Sequence, residues 1–257
     1  MTSPFRRLLW PTVATAIALA ILAALGTWQL QRLAWKEALV ARVAERTRLP
    51  PIPLPPEAVW SAVDGETNDY TPVTVEGRFL HDKEVHVFHS LSSPKGRLGG
   101  QGFFVMTPLQ RPDGTVVIVN RGFVPLDRKD PKTRAEGQIP GETTVTGLLR
   151  RPEEPNAFTP ADDPAKNVWF TRDAKRIAAA VGLDPARIFP LTLDAAAVPA
   201  PPGGLPQGGE TTMAFPNNHL QYAVTWYGLA LTLVGVYIAF ARARLKADDP
   251  PEPPRPA

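Results

Sequence analysis

Residues 217–240 read NNHLQYAVTWYGLALTLVGVYIAF, and His219 is the only titratable acid-base group near neutral pH among them. The uncharged part, residues 220–240, gives a helix of about 31 Å, which is long enough to cross the hydrocarbon core of a bilayer. A second uncharged run, residues 8–30, gives about 34 Å by the same rise per residue. The sequence therefore predicts two transmembrane helices, with a histidine placed just before the second.

The first apolar run has a competing interpretation, whereas the second has none. Arg6 and Arg7 precede it, and Ala24-Leu25-Gly26 is similar to the small-residue site of a cleaved signal peptide. The run is longer than the apolar core of a usual signal peptide, which favours a retained span. Trp10 and Trp28 bracket it in the manner of interface aromatics.

The orientation follows from the distribution of basic residues. Arg242, Arg244 and Lys246 follow the second run, whereas residues 195–221 contain no Lys or Arg, so this end is expected in the cytoplasm. Residues 31–48, which follow the first run, are also basic, and by the same rule these residues would be expected in the cytoplasm. Because large folded regions cross membranes largely regardless of charge, we expect both termini in the cytoplasm and residues 31–219 in the periplasm.

The segment between the spans is expected to be rich in β-structure. Residues 32–48 continue the first helix outward, and the Pro-rich residues 50–56 end it as a stiff connector. Alternating or β-branched segments predict strands at residues 72–80, 84–90, 102–109, 115–124, 143–149, 168–171 and 188–194. Asp173 and Gly182 bound a short helix whose apolar stripe is Ile177, Ala180 and Val181.

The predicted class is an α+β membrane protein. Transmembrane helices at residues 8–30 and 220–240 flank a periplasmic domain, residues 31–219, made of a mainly antiparallel β-sheet or a small β-barrel with one or two helices. Residues 241–257 form a Pro-rich cytoplasmic tail, expected to be disordered from Asp248 onward.

Several kinds of chemistry have no support in the sequence. Cys is absent, which excludes disulfides, thiolate metal sites and a Cys nucleophile. The sequence contains no nucleophile elbow, no phosphate-binding P-loop and no His-Glu-x-x-His pair. The net charge of +3 is mild and much of the Lys and Arg lies beside the apolar runs. We therefore expect a protein that is not an enzyme and binds no nucleic acid.

Two groups in the central segment need an interpretation. Strand alternation puts His86 and His89 on opposite faces, so with His81 they are interpreted as ordinary sheet-surface histidines in preference to metal ligands. In Asn120-Arg121-Gly122-Phe123-Val124-Pro125, the glycine is expected to allow close packing and Arg121 to pair with a carboxylate.

His219 is the candidate ligand. On a helix it shares one face with Tyr222, Ala223, Trp226 and Ala230. A neutral imidazole can ligate haem iron while Asn217 or Asn218 holds its second ring N–H, and the small alanines would leave room for a planar macrocycle. The alternative is a polar interfacial residue that caps the membrane helix. The residues alone leave both interpretations open.

Several strings, in their order along the chain, match those of one known family. They are Gly26-Thr27-Trp28-Gln29-Leu30-Gln31-Arg32, Gly77-Arg78-Phe79, Thr107-Pro108-Leu109, Val119-Asn120-Arg121-Gly122-Phe123-Val124-Pro125, Gly147-Leu148-Leu149-Arg150, Asn167-Val168-Trp169-Phe170 and residues 217–227. With a span at each end, the chain resembles the surfeit locus protein one family of cytochrome c oxidase assembly factors over nearly its whole length. Phe123 stands where many members carry Trp, and the Pro-rich tail lies outside the resemblance.

The resemblance implies a two-pass protein of the bacterial inner membrane with a periplasmic central domain. It implies an assembly factor for haem-copper cytochrome c oxidase that assists haem a insertion into subunit I by transient haem binding. In bacterial members the histidine of the Asn-Asn-His string is implicated in haem binding, and here it is His219. The implied partners are subunit I, haem a synthase and the lipid bilayer.

Within that resemblance we hypothesise four site residues. His219 ligates the iron of haem a, Tyr222 and Trp226 flank the ring, and Arg32 meets a propionate. The alternative function is a cofactor-free membrane chaperone that stabilises an assembly intermediate of subunit I. A periplasmic enzyme anchored by its ends is disfavoured because the sequence offers no nucleophile or paired carboxylates.

Overall fold

The computed structural model describes residues 4–211 and 217–246. The chain divides into two compact units, a helical pair that comprises residues up to 42 and from 214, and a β domain that comprises residues 43–213. The tail expected to be disordered begins at Asp248 and therefore lies outside the described residues.

The helical unit contains the two predicted spans. Helix α1, Pro4–Arg46, runs without a break through the apolar segment and its basic extension, and helix α4 is His219–Lys246. Both are long and apolar enough to cross a membrane. The most apolar window of α1 is 0% buried and that of α4 is 6% buried, so neither is the core helix of a soluble domain. The two predicted helices and the continuation of the first are confirmed as elements of the fold, and both are candidate spans.

The two helices meet along a seam of small and hydroxyl side chains. The Tyr227 hydroxyl lies 3.0 Å from Thr27 Oγ1, and the Tyr237 hydroxyl is hydrogen-bonded to Thr12. A Cβ built on Gly26 would lie 2.9 Å from the Tyr227 ring, so the glycine provides the space that the ring fills. Small residues with interhelical hydrogen bonds are typical of helices that associate in lipid.

The β domain is one mixed sheet of seven strands in the order β1-β2-β6-β7-β5-β4-β3. The strands are β1 Ile52–Pro53, β2 Pro72–Phe79, β3 Val85–Leu91, β4 Gly100–Gln110, β5 Val116–Pro125, β6 Glu142–Arg150 and β7 Thr192–Ala195. The β1–β2 and β5–β7 pairs are parallel and the others antiparallel. A further pairing of β2 with β4, through Arg78–Gln110 and Phe79–Leu109, closes five strands into a ring. Of the two predicted architectures, the small mainly antiparallel barrel is therefore the one formed.

Two large apolar clusters and a smaller one, formed by Phe103, Val105 and Val124, stabilise this domain. The cluster drawn from all five ring strands fills the ring interior and includes Val75, Leu109, Val119, Leu149 and Leu193. The other large cluster lies outside the ring, where β3, β4 and β5 pack against helix α3, Ala174–Ala180, and it includes Met106, Ile118, Phe123, Trp169 and Ile177. The free energy gained on folding comes chiefly from burying these side chains.

The short helix starts where it was predicted, but its buried face differs. The Asp173 side chain caps α3 by accepting hydrogen bonds from the backbone N–H groups of Lys175 and Arg176. A second short helix, α2 Gly65–Asn68, is capped in the same way by Asp64. Ala174, Ile177 and Ala178 are the buried residues of α3. Ala180 is exposed, so its assignment to the apolar stripe was wrong.

Two predicted strands were wrong in part, and one strand was missed. Residues 168–171 contribute only isolated bridges, such as Trp169 with Val87. Of residues 188–194, only those from Thr192 onward form a strand. Ile188 contributes an isolated bridge to Val116, and Phe189 and Leu191 are buried in the ring cluster outside any strand. Within the expected connector, Ile52–Pro53 pairs in parallel with β2. The apolar pattern of these segments indicates that they are buried, and a buried segment need not pair in a β-ladder.

Candidate functional site

The candidate ligand His219 is the first residue of α4, and its ring is held by the other span. Its Nδ1 lies 2.7 Å from the side-chain oxygen of Gln29. The Asn217 side chain accepts from the backbone N–H of His219 at 3.4 Å and leaves the ring alone. The prediction that Asn217 or Asn218 holds the ring was therefore wrong: an amide from α1 does so.

This hydrogen bond fixes the chemistry of the imidazole. Because an amide oxygen only accepts, Nδ1 carries the proton and donates it to Gln29. The lone pair of the neutral ring then lies on Nε2, which has no hydrogen-bond partner among the described residues. Histidines that ligate metals have the same arrangement, in which one ring nitrogen donates to an oxygen and the other binds the metal. His219 as a whole is half-buried.

The other candidate residues of α4 differ in how far they are buried. Ala223 is one turn from both His219 and Tyr227, which contact α1, and it is only 1% exposed. The expected room for a macrocycle beside Ala223 is therefore absent, because the helices pack there. Trp226 is half-buried along this side, whereas Tyr222 is 54% exposed.

Arg32 lies one helical turn beyond Gln29 on α1. Its side chain is exposed, and its guanidinium lies over the ring of Trp35, 4.1 Å from the centroid. The structure thus brings His219 and Gln29 into contact. Among the described side chains, Arg32 contacts Trp35 and neither His219, Tyr222 nor Trp226.

Gln29 was missed by the reading of the sequence, although a signal was present. It is the only side-chain amide within the uncharged run of residues 8–30 and is 9% exposed in the structure. A polar side chain in a membrane span is costly unless it finds a partner, which marks it as a candidate for an interhelical contact.

A second polar centre lies in the β domain around Glu84, which precedes β3. Its carboxylate accepts hydrogen bonds from His86 Nε2 at 2.9 Å and from both terminal nitrogens of Arg134, Nη1 at 3.3 Å and Nη2 in a shorter contact. Arg121 Nη1 lies 3.8 Å from the same carboxylate. Burial alone would raise the pKa of Glu84, but the hydrogen bonds from His86 and Arg134 outweigh it and lower the pKa to about 2.

These contacts decide the earlier interpretations of the central segment. Arg121 does pair with a carboxylate, and a Cβ on Gly122 would meet the backbone oxygen of Gln207 at 2.1 Å, so both expectations for this string are confirmed. His86 is 4% exposed and is therefore no surface histidine, because it completes the Glu84 centre. The described residues contain no group of three side chains that could hold a metal ion.

The remaining two histidines of this segment are also engaged by the fold. The His81 ring lies 2.9 Å from the Ile139 carbonyl, and His89 stacks on Phe104 with ring centroids 4.4 Å apart. Burial lowers the pKa of both imidazoles. They are structural residues with neutral rings at physiological pH.

The fold and the histidine together define a class of protein. It is a membrane protein with two candidate spans, a small β-barrel domain between them in sequence, and an imidazole at the start of the second span whose orientation the first span fixes.

Comparison with known proteins gives the family. The model of the SURF1 family matches residues 16–231. Surfeit locus protein 1 of Rattus norvegicus is 39% identical over 215 residues, which cover 80% of this chain and 67% of that protein. Surfeit locus protein 1 of Homo sapiens is 39% identical over 217 residues, which cover 80% of this chain and 69% of that protein. A SURF1-like protein of Drosophila melanogaster is 36% identical over 218 residues, which cover 80% of this chain and 69% of that protein. The chain belongs to the SURF1 family, whose members are known as cytochrome c oxidase assembly factors.

Proposed function

We propose that this chain is a membrane-bound assembly factor for cytochrome c oxidase that binds haem a transiently through His219 and assists its insertion into subunit I. Family membership supports the assembly role. The single observation that carries the haem proposal is the 2.7 Å contact between His219 Nδ1 and the Gln29 oxygen. It leaves Nε2 with the lone pair that haem iron needs.

His219 fits the role of a haem ligand, and the residues proposed around it fit in part. The imidazole is held in one tautomer and lies at the end of a span, where a farnesylated haem that partitions into lipid can reach it. Tyr222 is exposed and can contact the ring, and Trp226 offers its accessible edge. Arg32 is exposed and would meet a propionate as a charge-assisted hydrogen-bond donor. Haem a would supply the iron and the visible absorption when bound.

The proposed setting is the bacterial inner membrane, with both termini in the cytoplasm and the β domain in the periplasm. The basic end of α4, with Arg242, Arg244 and Lys246, supports this orientation. Subunit I is the proposed partner, and haem a synthase is the proposed source of the cofactor. No catalysed reaction is part of the proposal, because the Glu84 carboxylate is engaged by His86 and Arg134.

The proposal is tested with full-length protein purified from membranes that make haem a. Wild type should carry haem a with the absorption of a histidine-ligated iron, and His219→Ala should lose it. Gln221→Ala is the matched control, because this polar side chain is exposed two residues away and should leave haem content unchanged. Oxidase activity in the same membranes measures assembly.

Three outcomes separate the candidate functions. Loss of both haem and oxidase in His219→Ala supports haem delivery through this residue. Full stoichiometric haem with an unchanged spectrum in His219→Ala would remove the ligand assignment. Haem-free wild type on which oxidase assembly still depends would replace the proposal by the cofactor-free chaperone of subunit I.

A further inference from the structure

One end of the barrel opens into a cavity that is lined in part by Arg121. Strand β7 ends at Ala195, and the last hydrogen bond on that side of β6 runs from the Ala196 N–H to the Thr146 carbonyl. Beyond it lies a cavity of about 100 Å³, lined by residues 143–146, 195–196 and 198–201 together with Phe79, Arg121, Ile139 and Pro206. This space is several times what one water molecule needs. Mouths of β-barrels are frequent sites of small-ligand binding.

Arg121 lines this cavity with a hydrogen-bonding capacity that the fold leaves unused. The residue is 5% exposed, and its Nη2 donates to the Gly137 carbonyl. Its Nη1 is buried and has no hydrogen-bond acceptor among the described residues, since the Glu84 oxygen at 3.8 Å is beyond hydrogen-bond distance. The guanidinium lies over the Phe79 ring, 4.9 Å from the centroid, which fixes its plane. A buried donor without an acceptor is costly, so it indicates a missing partner.

The charges around Arg121 indicate that the missing partner is negatively charged. Arg121 and Arg134 are both 5% exposed, and Glu84 is the one carboxylate with which the described structure pairs them. Glu84 accepts its hydrogen bonds from Arg134 and His86, so Arg121 has only the charge of Glu84 at 3.8 Å. Burial lowers the pKa of Arg121 to about 10, against the opposing effect of Glu84. Arg121 therefore shares the Glu84 charge with Arg134 and has no anion at hydrogen-bond distance of its own.

We propose that this cavity is a binding site for a compact carboxylate, whose negative charge pairs with the Arg121 guanidinium in the cavity wall while its carbon substituent packs on the apolar part of the wall. The wall is formed by Phe79, Ile139, Val145, Val198, Pro199 and Pro206. A single guanidinium in a small, mostly apolar cavity matches a singly charged carboxylate better than a phosphate, which needs more donors. The carboxylate belongs either to a small free acid or to the C-terminus of a polypeptide. This site is independent of the haem proposal, since it uses none of its residues.

The experiment is a titration of full-length protein in detergent, without haem, followed by saturation-transfer NMR of the ligand's methyl protons. The probe is isobutyrate, and its uncharged isostere isobutyramide tests the need for charge. We expect saturable isobutyrate binding, and at least about tenfold weaker binding of isobutyramide, because a charge-assisted hydrogen bond is lost. A tripeptide that ends in valine, with a free or an amidated C-terminus, distinguishes a polypeptide source from a free acid.

Two variants connect binding to the cavity. Arg121→Gln removes the charge, and Ala196→Phe fills the cavity from its exposed rim without touching Arg121, so it tests the site even where Arg121→Gln folds poorly. Each should weaken isobutyrate binding at least about tenfold. Ala186→Phe, at an exposed alanine outside the cavity, should bind as wild type. Absence of saturable binding to folded wild type, or binding unchanged in Ala196→Phe, would overturn the proposal.

Discussion

The side-chain oxygen of Gln29 lies 2.7 Å from Nδ1 of His219, which joins two spans through residues 190 positions apart in the chain. The contact has two consequences. It satisfies a buried amide in an apolar helix, and it engages Nδ1 of the imidazole so that Nε2 keeps its lone pair. Helix association and ligand geometry therefore depend on the same hydrogen bond.

Replacement of Gln29 by Ala should weaken haem a retention while His219 itself is unchanged. Loss of a hydrogen-bonding partner of a metal-bound histidine typically reduces metal affinity by roughly 10- to 100-fold. Haem content after purification and the rate of haem loss to an acceptor protein give the measurement. Gln31→Ala, at an exposed amide on the same helix, is the control and should retain haem as wild type does. Equal haem loss from wild type and Gln29→Ala would show that the contact is irrelevant to binding.

Replacement of Glu84 by Gln should destabilise the β domain by roughly 3 kcal/mol at pH 7, because Arg134 and Arg121 would lose their buried counter-charge. The pKa of Glu84 is lowered to about 2 in the fold, against about 4.3 for an unfolded chain. A lowered pKa stabilises the fold above the unfolded value, and this contribution is lost as the pH falls from about 4.3 toward 2. Denaturant unfolding followed by circular dichroism at pH 7 and pH 3 measures both effects.

Glu76→Gln is the matched control for this pair of measurements. Glu76 is exposed on β2 and should change the free energy of unfolding by less than about 0.5 kcal/mol. The difference between wild type and Glu84→Gln should shrink at the lower pH. A gap that stays constant between the two pH values would contradict the assigned charge state of Glu84.

Gly122 occupies a position where both the backbone conformation and the available space exclude a side chain. Its φ is 131°, and an added Cβ would lie 2.1 Å from the Gln207 carbonyl oxygen. Gly122→Ala should therefore cost roughly 2–5 kcal/mol of stability. Gly141→Ala separates the causes, because Gly141 has φ 79° with nothing within 4 Å and should cost only about 1 kcal/mol. Similar losses of thermal stability in the two variants would mean that the close contact with Gln207 is unimportant.

The elements of the fold were largely predictable because their patterns are local. Two uncharged runs of spanning length predict helices directly, and β2 through β6 follow alternation or β-branched segments to within about two residues at each end. The strand predictions failed at residues 168–171 and 188–191, because these residues are apolar in order to pack against other elements and not because they belong to a β-ladder. Closure of the ring depends on two residue pairs between β2 and β4, and no local pattern encodes that pairing.

The contacts of the candidate sites were less predictable, since they depend on distant partners. The position of His219 at the start of α4 follows from the sequence, whereas its partner Gln29 emerges only when the two helices pack. His86 was interpreted as a surface residue from strand alternation alone. Arg134, 48 residues later in the chain, packs against His86 and Glu84 and buries both, and no local pattern predicts this contact. Ala223 illustrates the same limit, since a small residue can leave space or allow a helix to approach.

The proposed orientation predicts which engineered cysteines are accessible from outside the cell. The chain has no native Cys, so a single introduced thiol reports its own location. Ser61→Cys, at an exposed position in the β domain, should react with a membrane-impermeant maleimide in intact spheroplasts. Ala243→Cys, between Arg242 and Arg244 at the basic end of α4, should react only after lysis, because this end is retained in the cytoplasm. The reverse pattern would place the β domain in the cytoplasm, and His219 would then lie at the inner face of the membrane, away from the periplasmic side on which we propose that haem a is bound.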